Sequence, residues 1–194
     1  GIQFPRFSED LYKTTKALDP TRPVNTSSGG SHIKTDLWTA HNYEQDPAKL
    51  REILYNEGRL FETPVWKARN AELNTGFTSP SATDIYEFPK YDFSIPYILD
   101  EVGGIKWVKG QDKKNSQTES WGYGEPPQTE EEFFSRLEGQ IDAVLSLSEY
   151  IWGYCYTQLT DVEQEQNGIF YYDRSPKFDA ERFRRIFSKI PNKQ

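Results

Sequence analysis

The chain has 194 residues and a formal net charge of −7, enough length for one well-buried core and no basic surplus for a nucleic-acid surface. Its single cysteine, Cys155, rules out a disulfide framework and a thiolate metal site, and no apolar run approaches the roughly 18 residues that cross a bilayer. The chain starts at Gly1, contains no methionine and shows no signal peptide, as expected where a leader or tag has been removed or where the chain is a piece of a longer protein.

Aromatic residues make up 15% of the chain, and many sit beside Gly, Pro and Asn in loops, where flat apolar faces can hold sugars. The pattern opens with an amphipathic helix at 7–18, with Phe7, Leu11, Thr15 and Leu18 on one face and Asp19-Pro20 as its stop. Residues 22–26 read as a short strand leaving through Ser27-Ser28-Gly29-Gly30. A second strand covers 35–43 and ends in His41-Asn42-Tyr43. Asp46-Pro47 launches a helix over 47–56, with the aspartate as cap and proline at the first helical position. Residues 57–94 hold a helix at 64–73 and then a long loop carrying Tyr86, Phe88, Tyr91 and Phe93.

The stretch from Ile95 to Gly104 organises the rest. Tyr97, Ile98 and Leu99 suit a covered strand, which delivers Glu101 to its carboxyl end and stops at Gly103-Gly104, where a loop turns or a ligand comes close. In α/β proteins that end of a strand is where ligands bind. The alternative for Glu101 is a helix cap or a surface ion pair. Asp100, its neighbour, should face the opposite side and bury toward a helical layer.

A polar loop at 105–128 carries Trp107, Trp121 and Tyr123. Thr129 and Glu132 then form a capping box for a helix at 130–148 with an apolar stripe from Phe133 to Ser148. Residues 151–157 are a further strand, 158–178 a second polar loop, and 179–190 a final helix with Phe183, Ile186, Phe187 and Ile190 on its buried face. The order helix, strand, strand, helix, strand, helix, strand, helix implies an α/β fold with parallel neighbours. No phosphate-binding glycine motif follows the first strand.

Parallel strands place their ends on one face, so Asn25, His41, Tyr43, Glu101 and Tyr156 converge there by topology. A tyrosine hydroxyl beside Glu101 would hold that carboxylate as a nucleophile. Glycoside cleavage needs a second carboxylate, for which Glu44, Glu125, Asp161, Glu163 and Glu165 are the candidates, each equally an ordinary loop residue. The oxygen-rich run 161–168 lacks the spacing of a calcium loop and reads as a solvated or sugar-facing loop, with Glu163 toward substrate. With His32 and His41 as the two histidines, neither a zinc site nor a Cys155–His41 nucleophile has support, and the expectation is that no cofactor or metal is needed.

Four stretches together resemble a known family: Leu18-Asp19-Pro20-Thr21-Arg22-Pro23-Val24-Asn25, Asp36-Leu37-Trp38-Thr39-Ala40-His41-Asn42-Tyr43, Asp100-Glu101-Val102-Gly103-Gly104 and Gly153-Tyr154-Cys155-Tyr156-Thr157-Gln158. They are similar to the carboxyl-terminal half of the catalytic barrel of glycoside hydrolase family 2, the β-galactosidases, β-glucuronidases and β-mannosidases. The resemblance implies a partial (β/α)₈ barrel over 1–194, about four parallel strands corresponding to strands 5 to 8, and a retaining reaction on β-glycosides. It makes Glu101 the nucleophile, although Val102 replaces the usual aromatic after it, and Tyr43 the residue that hydrogen-bonds it. By that resemblance His41 and Asn42 become sugar contacts and Tyr156 an aromatic floor under the ring; Asn25 at a strand end and Trp121 and Glu163 in loops are further expected substrate contacts, read from topology and placement.

The family's acid/base glutamate follows an asparagine at the fourth strand, and no such pair precedes the first strand here; Asn56-Glu57 falls in the wrong part of the barrel. The expected partners are therefore a carbohydrate substrate and the missing amino-terminal half of a secreted or periplasmic parent. Alone, the chain is expected to be inactive. Its open edges predict pairing with a second copy or cover by the 57–94 segment. The competing reading is a non-catalytic sugar-binding domain of the same fold, with Trp121, Tyr123 and Tyr156 around a pocket and no need for Tyr43 on Glu101.

Overall fold

The computed structural model describes residues 5–30, 32–62, 89–108 and 120–191. In chain order the elements are α1 (Pro5–Leu18), β1 (Trp38–Asn42), α2 (Pro47–Leu54), the short strands β2 (Tyr55–Asn56) and β3 (Arg59–Leu60), β4 (Tyr97–Gly103), α3 (Glu130–Leu145), β5 (Ile151–Thr157) and α4 (Ala180–Phe187). Strands β1, β4 and β5 form a parallel sheet with β4 in the middle, and β2 and β3 pair as a separate hairpin. The result is a partial α/β structure, with no closed barrel among the described residues. The expected helix at 64–73 lies outside them.

The helix starts follow from local chemistry. Asp46 accepts from the backbone N–H of Lys49 at 3.0 Å ahead of Pro47, and Thr129 accepts from that of Glu132 at 3.1 Å. The return arm of the second cap is displaced by one residue, since Glu132 accepts from the N–H of Gln128 at 2.7 Å. Each of these bonds satisfies a donor that a helix start otherwise leaves orphaned. Helix α2 ends at Leu54, two residues before the expected end, because Tyr55 turns extended and pairs with Leu60 across a Glu57-Gly58 turn whose φ angles are both positive. Helix α3 gives way at Ser146 to a run of turns rather than continuing to residue 148.

Two apolar clusters hold the layers together. In the first, Trp38 and Ala40 of β1, Tyr97, Leu99 and Val102 of β4 and Ile151 of β5 pack on Leu50 and Leu54 of α2 and Val144 of α3. In the second, Ile105, Phe133, Leu137 and Ile141 meet Phe183 and Ile186 of α4. A fully buried side chain of this kind contributes about 1.5–3 kcal/mol, so β4, with three of them on one face, is the best-anchored strand.

Two expectations are corrected. Residues 22–26 are not a strand: the backbone of Val24 exchanges its bonds locally, its N–H donating to the Asp36 carboxylate at 2.9 Å and its carbonyl accepting from the N–H of Asp36 at 2.9 Å. The sheet of the described residues therefore has three strands, not four. The apolar face of α1 is not buried either, with Phe7 58%, Leu11 48% and Leu18 82% exposed. Polar contacts tie that helix down instead, Tyr12 donating to Asp36 at 2.6 Å and Lys16 to the same carboxylate at 3.0 Å.

Candidate functional site

The carboxyl ends of β1 and β4 bring the predicted pair together. The Tyr43 hydroxyl donates to Oε2 of Glu101, and Nδ1 of His41 stands at an ion-pair distance of 3.2 Å from the same oxygen. No partner reaches Oε1 among the described residues, and the Glu101 side chain is 34% exposed. Burial, followed by the bond to Glu101, pushes the Tyr43 phenol far above the ordinary range, which keeps it a donor.

Glycine makes room for this arrangement. Gly104 has φ +70°, and a Cβ there would run into the rings of both Tyr43 and Tyr123. Freed of that obstruction, Tyr43 and Tyr123 stack with ring centroids 3.5 Å apart and planes 4° apart, and Trp121 meets Tyr123 edge-on at 5.9 Å. Trp121 is 46% exposed, so the row presents an open aromatic surface next to Glu101. Burial raises the Tyr123 phenol, and the charges of Glu165 and Glu101 add to this. A surface cavity of about 510 Å³ adjoins the stacked pair, lined by Asn42, Tyr43, Gln45, Tyr123 and Arg136 among others. A larger one, of about 680 Å³, lies at the amino-terminal half of β5 near Trp152, away from these groups.

The loops above the sheet are fixed by bonds that sequence patterning did not reveal. Gln140, fully buried on α3, donates to the carbonyls of Glu44 at 2.9 Å and Gly103 at 3.3 Å, joining the loop after β1 to the end of β4. Trp121 is bonded to the 158–178 loop through its backbone, its N–H donating to the Gln164 carbonyl at 2.8 Å and its carbonyl accepting from the Gln166 N–H at 2.9 Å. That loop closes on a buried ion pair in which Lys177 donates to Asp161 at 2.7 Å and to the Trp107 carbonyl at 2.8 Å. Burial lowers the Lys177 pKa and Asp161 partly restores it.

The remaining candidates divide. Asn25 is engaged in structure, donating to Oγ1 of Thr39 at 3.3 Å and accepting from the N–H of Ser27 at 3.2 Å. Asn42 caps its own turn by accepting from the N–H of Glu44 at 2.9 Å. The Glu44 carboxylate accepts from two backbone N–H groups, and Asp161 belongs to the buried pair, so both are committed to structure. Glu163 sits exposed at a turn tip with φ +52°, in the two-residue reversal closed by Val162 and Glu165.

Two placements differ from expectation. Tyr156 does not form a floor at the strand ends: its ring packs beneath Gly103 and against Phe187 of α4 in the helical layer. Asp100 does not turn toward that layer. A register shift between Ala40 and His41 leaves His41 opposite Glu101, with Asp100 as the extra residue, and Asp100 Oδ1 lies 3.3 Å from Nε2 of His41. A bulge interrupts the alternation on which the expectation rested. Ser28, donating to Asp100 Oδ2 at 2.7 Å, also went unrecognised; its position in a Gly/Ser turn was the available signal.

No protein-family model matches the sequence, and no curated protein matches it. Solved structures do share its fold. The chain superposes on a glycoside hydrolase family 2 β-galacturonidase from Eisenbergiella tayi bound to glycerol with a TM-score of 0.51 and 20% identity, over 98% of this chain and 31% of that one. The galacturonate-bound form of that enzyme gives 0.52 and 18% over the same shares. A β-glucuronidase from Faecalibacterium prausnitzii gives 0.44 and 18%, over 98% and 30%. The chain thus spans about a third of the length of these enzymes, and the likeness at these identities is one of fold, to the glycoside hydrolase family 2 type.

Proposed function

We propose that this chain carries the nucleophile side of a retaining β-glycosidase active site, with Glu101 as nucleophile and the proton donor supplied by polypeptide outside these residues. The observation that supports it is the state of one carboxylate: Oε2 of Glu101 is occupied by Tyr43 and faced by His41, while Oε1 has no partner among the described residues. Such a group is oriented yet free to attack. In this reading Oε1 forms a bond to the anomeric carbon as the bond to the leaving oxygen breaks, and water later releases the sugar with the external acid/base accepting its proton. The fold neighbour named as a galacturonidase puts uronides beside galactosides and mannosides in the substrate range to be tried.

The test uses 2,4-dinitrophenyl 2-deoxy-2-fluoro-β-glycosides, whose leaving group departs without protonation. A glycosyl adduct on the peptide containing Glu101, absent from Glu101→Gln, is the expected mass-spectrometric result, together with no steady hydrolysis of unactivated aryl glycosides. Absence of the adduct across galactoside, mannoside, glucuronide and galacturonide would overturn the assignment. The sugar-binding alternative draws on the exposed Trp121–Tyr123 row and predicts saccharide binding that survives Glu101→Gln with no adduct.

A further inference from the structure

The bulge in the β1–β4 pairing gives Asp100 a part that strand alternation would deny it. From Trp38 opposite Tyr97 to Ala40 opposite Leu99 the strands run in step, and His41 then faces Glu101 instead of Asp100. Both carboxylates consequently reach one imidazole, Asp100 at Nε2 and Glu101 at Nδ1. Ser28 closes the far side, its Oγ lying 3.0 Å from Nε2 and 2.7 Å from Asp100 Oδ2.

Donor bookkeeping orients this cluster. Ionised carboxylates only accept, so both ring nitrogens carry hydrogen in this arrangement, Nδ1 toward Glu101 and Nε2 toward Ser28 and Asp100. Ser28 has one hydroxyl hydrogen, and the 2.7 Å contact assigns it to Asp100. Burial raises the Asp100 pKa, but the His41 ring at ion-pair distance from Oδ1 and the Ser28 hydroxyl bonded to Oδ2 outweigh this and hold the carboxyl below its usual range, in keeping with an ionised anchor.

The turn that brings Ser28 to the ring is itself fastened to β1. Thr39, buried, donates to the Ser27 carbonyl at 3.2 Å and accepts from the Gly29 N–H at 2.8 Å and from Asn25 at 3.3 Å. Gly29 has φ +54°, and any Cβ there would collide with the imidazole of His41. The ring is thus pressed against backbone on one side and tied at Nε2.

We propose that Asp100 and Ser28 are positioning residues that fix the ring of His41 so that its Nδ1–H bears on Oε2 of Glu101, leaving Oε1 as the attacking oxygen. The proposal rests on the reading of Glu101 as the nucleophile. It makes His41 an internal clamp rather than a sugar ligand.

The chain has two histidines, so their ring nitrogens are separable by ¹⁵N-edited NMR, and His32, bonded through Nε2 to the backbone of Thr39, serves as an internal reference for folding. The expected result is a protonated-range Nδ1 resonance for His41 that leaves that range in Asp100→Asn and in Ser28→Ala, while a His32 signal of the folded chain persists. The rate of Glu101 labelling by the fluoro-glycoside should fall about 10- to 100-fold in the same variants, as expected when a reacting group loses its alignment. An Nδ1 resonance insensitive to both replacements, or labelling of the variants as fast as a wild-type chain that does take the label, overturns the proposal. Should the NMR response appear while the wild-type chain takes no label, the clamp stands and the nucleophile assignment falls.

Discussion

Tyr43 and Glu101, 58 residues apart in the chain, meet through a hydrogen bond from the phenol to one carboxylate oxygen. Each stands at the carboxyl end of a parallel strand, or one residue past it, so the contact depends on the register of β1 against β4 as much as on the residues themselves. With one oxygen engaged and no partner on the other among the described residues, Glu101 is held differently from a glutamate paired to a surface lysine.

Replacement of Tyr43 by Phe removes the donor and leaves Oε2 short of a partner. A lost hydrogen bond to a charged acceptor is worth about 1.5–3 kcal/mol, so labelling of Glu101 should slow about 10- to 150-fold. An unchanged labelling rate would take Tyr43 out of the mechanism.

Gly104→Ala should destabilise the chain while Gly58→Ala costs much less. Both positions have positive φ, +70° and +76°, but only at Gly104 does a new Cβ meet other atoms, the stacked Tyr43 and Tyr123 rings. Backbone strain alone costs about 1–2 kcal/mol, and the clash adds to it at Gly104. Urea midpoints of the two variants give the comparison, and equal losses would show that the tyrosine stack yields freely.

Lys177→Met leaves Asp161 buried without its cation. Breaking such a pair from one side typically costs about 3–5 kcal/mol, and the Lys177 side chain has no exposure at all. Pairing it with Asp161→Leu should recover part of the loss. A single variant as stable as the parent chain would mean that the pair contributes nothing to holding the 158–178 loop.

Asp100 also sets an expectation for pH. Its folded pKa lies below the unfolded value, so its contribution to stability is complete above the unfolded pKa of about 3.9 and fades as pH falls through the lower folded value. The stability of Asp100→Asn measured by thermal melting should therefore fall less between about pH 5 and pH 2 than that of the parent chain, and parallel curves would show that Asp100 is not linked to folding.

Sequence by itself determined the elements whose signals are local. The caps at Asp46 and Thr129, the strand running into Glu101 and the 151–157 strand were all legible, because capping side chains, helical periodicity and short apolar runs act within a few residues. The meeting of Tyr43 with Glu101 was also foreseeable, since parallel strands share one functional end. Tertiary structure alone decided the rest. Val24 could have entered the sheet, but Asp36 offered its backbone nearer partners. Tyr156 turned into the α4 layer, where Phe187 covers it, and the α1 stripe stayed in solvent. Asp100 reached His41 because one extra residue in β4 broke a two-residue period, and an irregularity of pairing leaves no mark in the hydrophobic pattern of either strand.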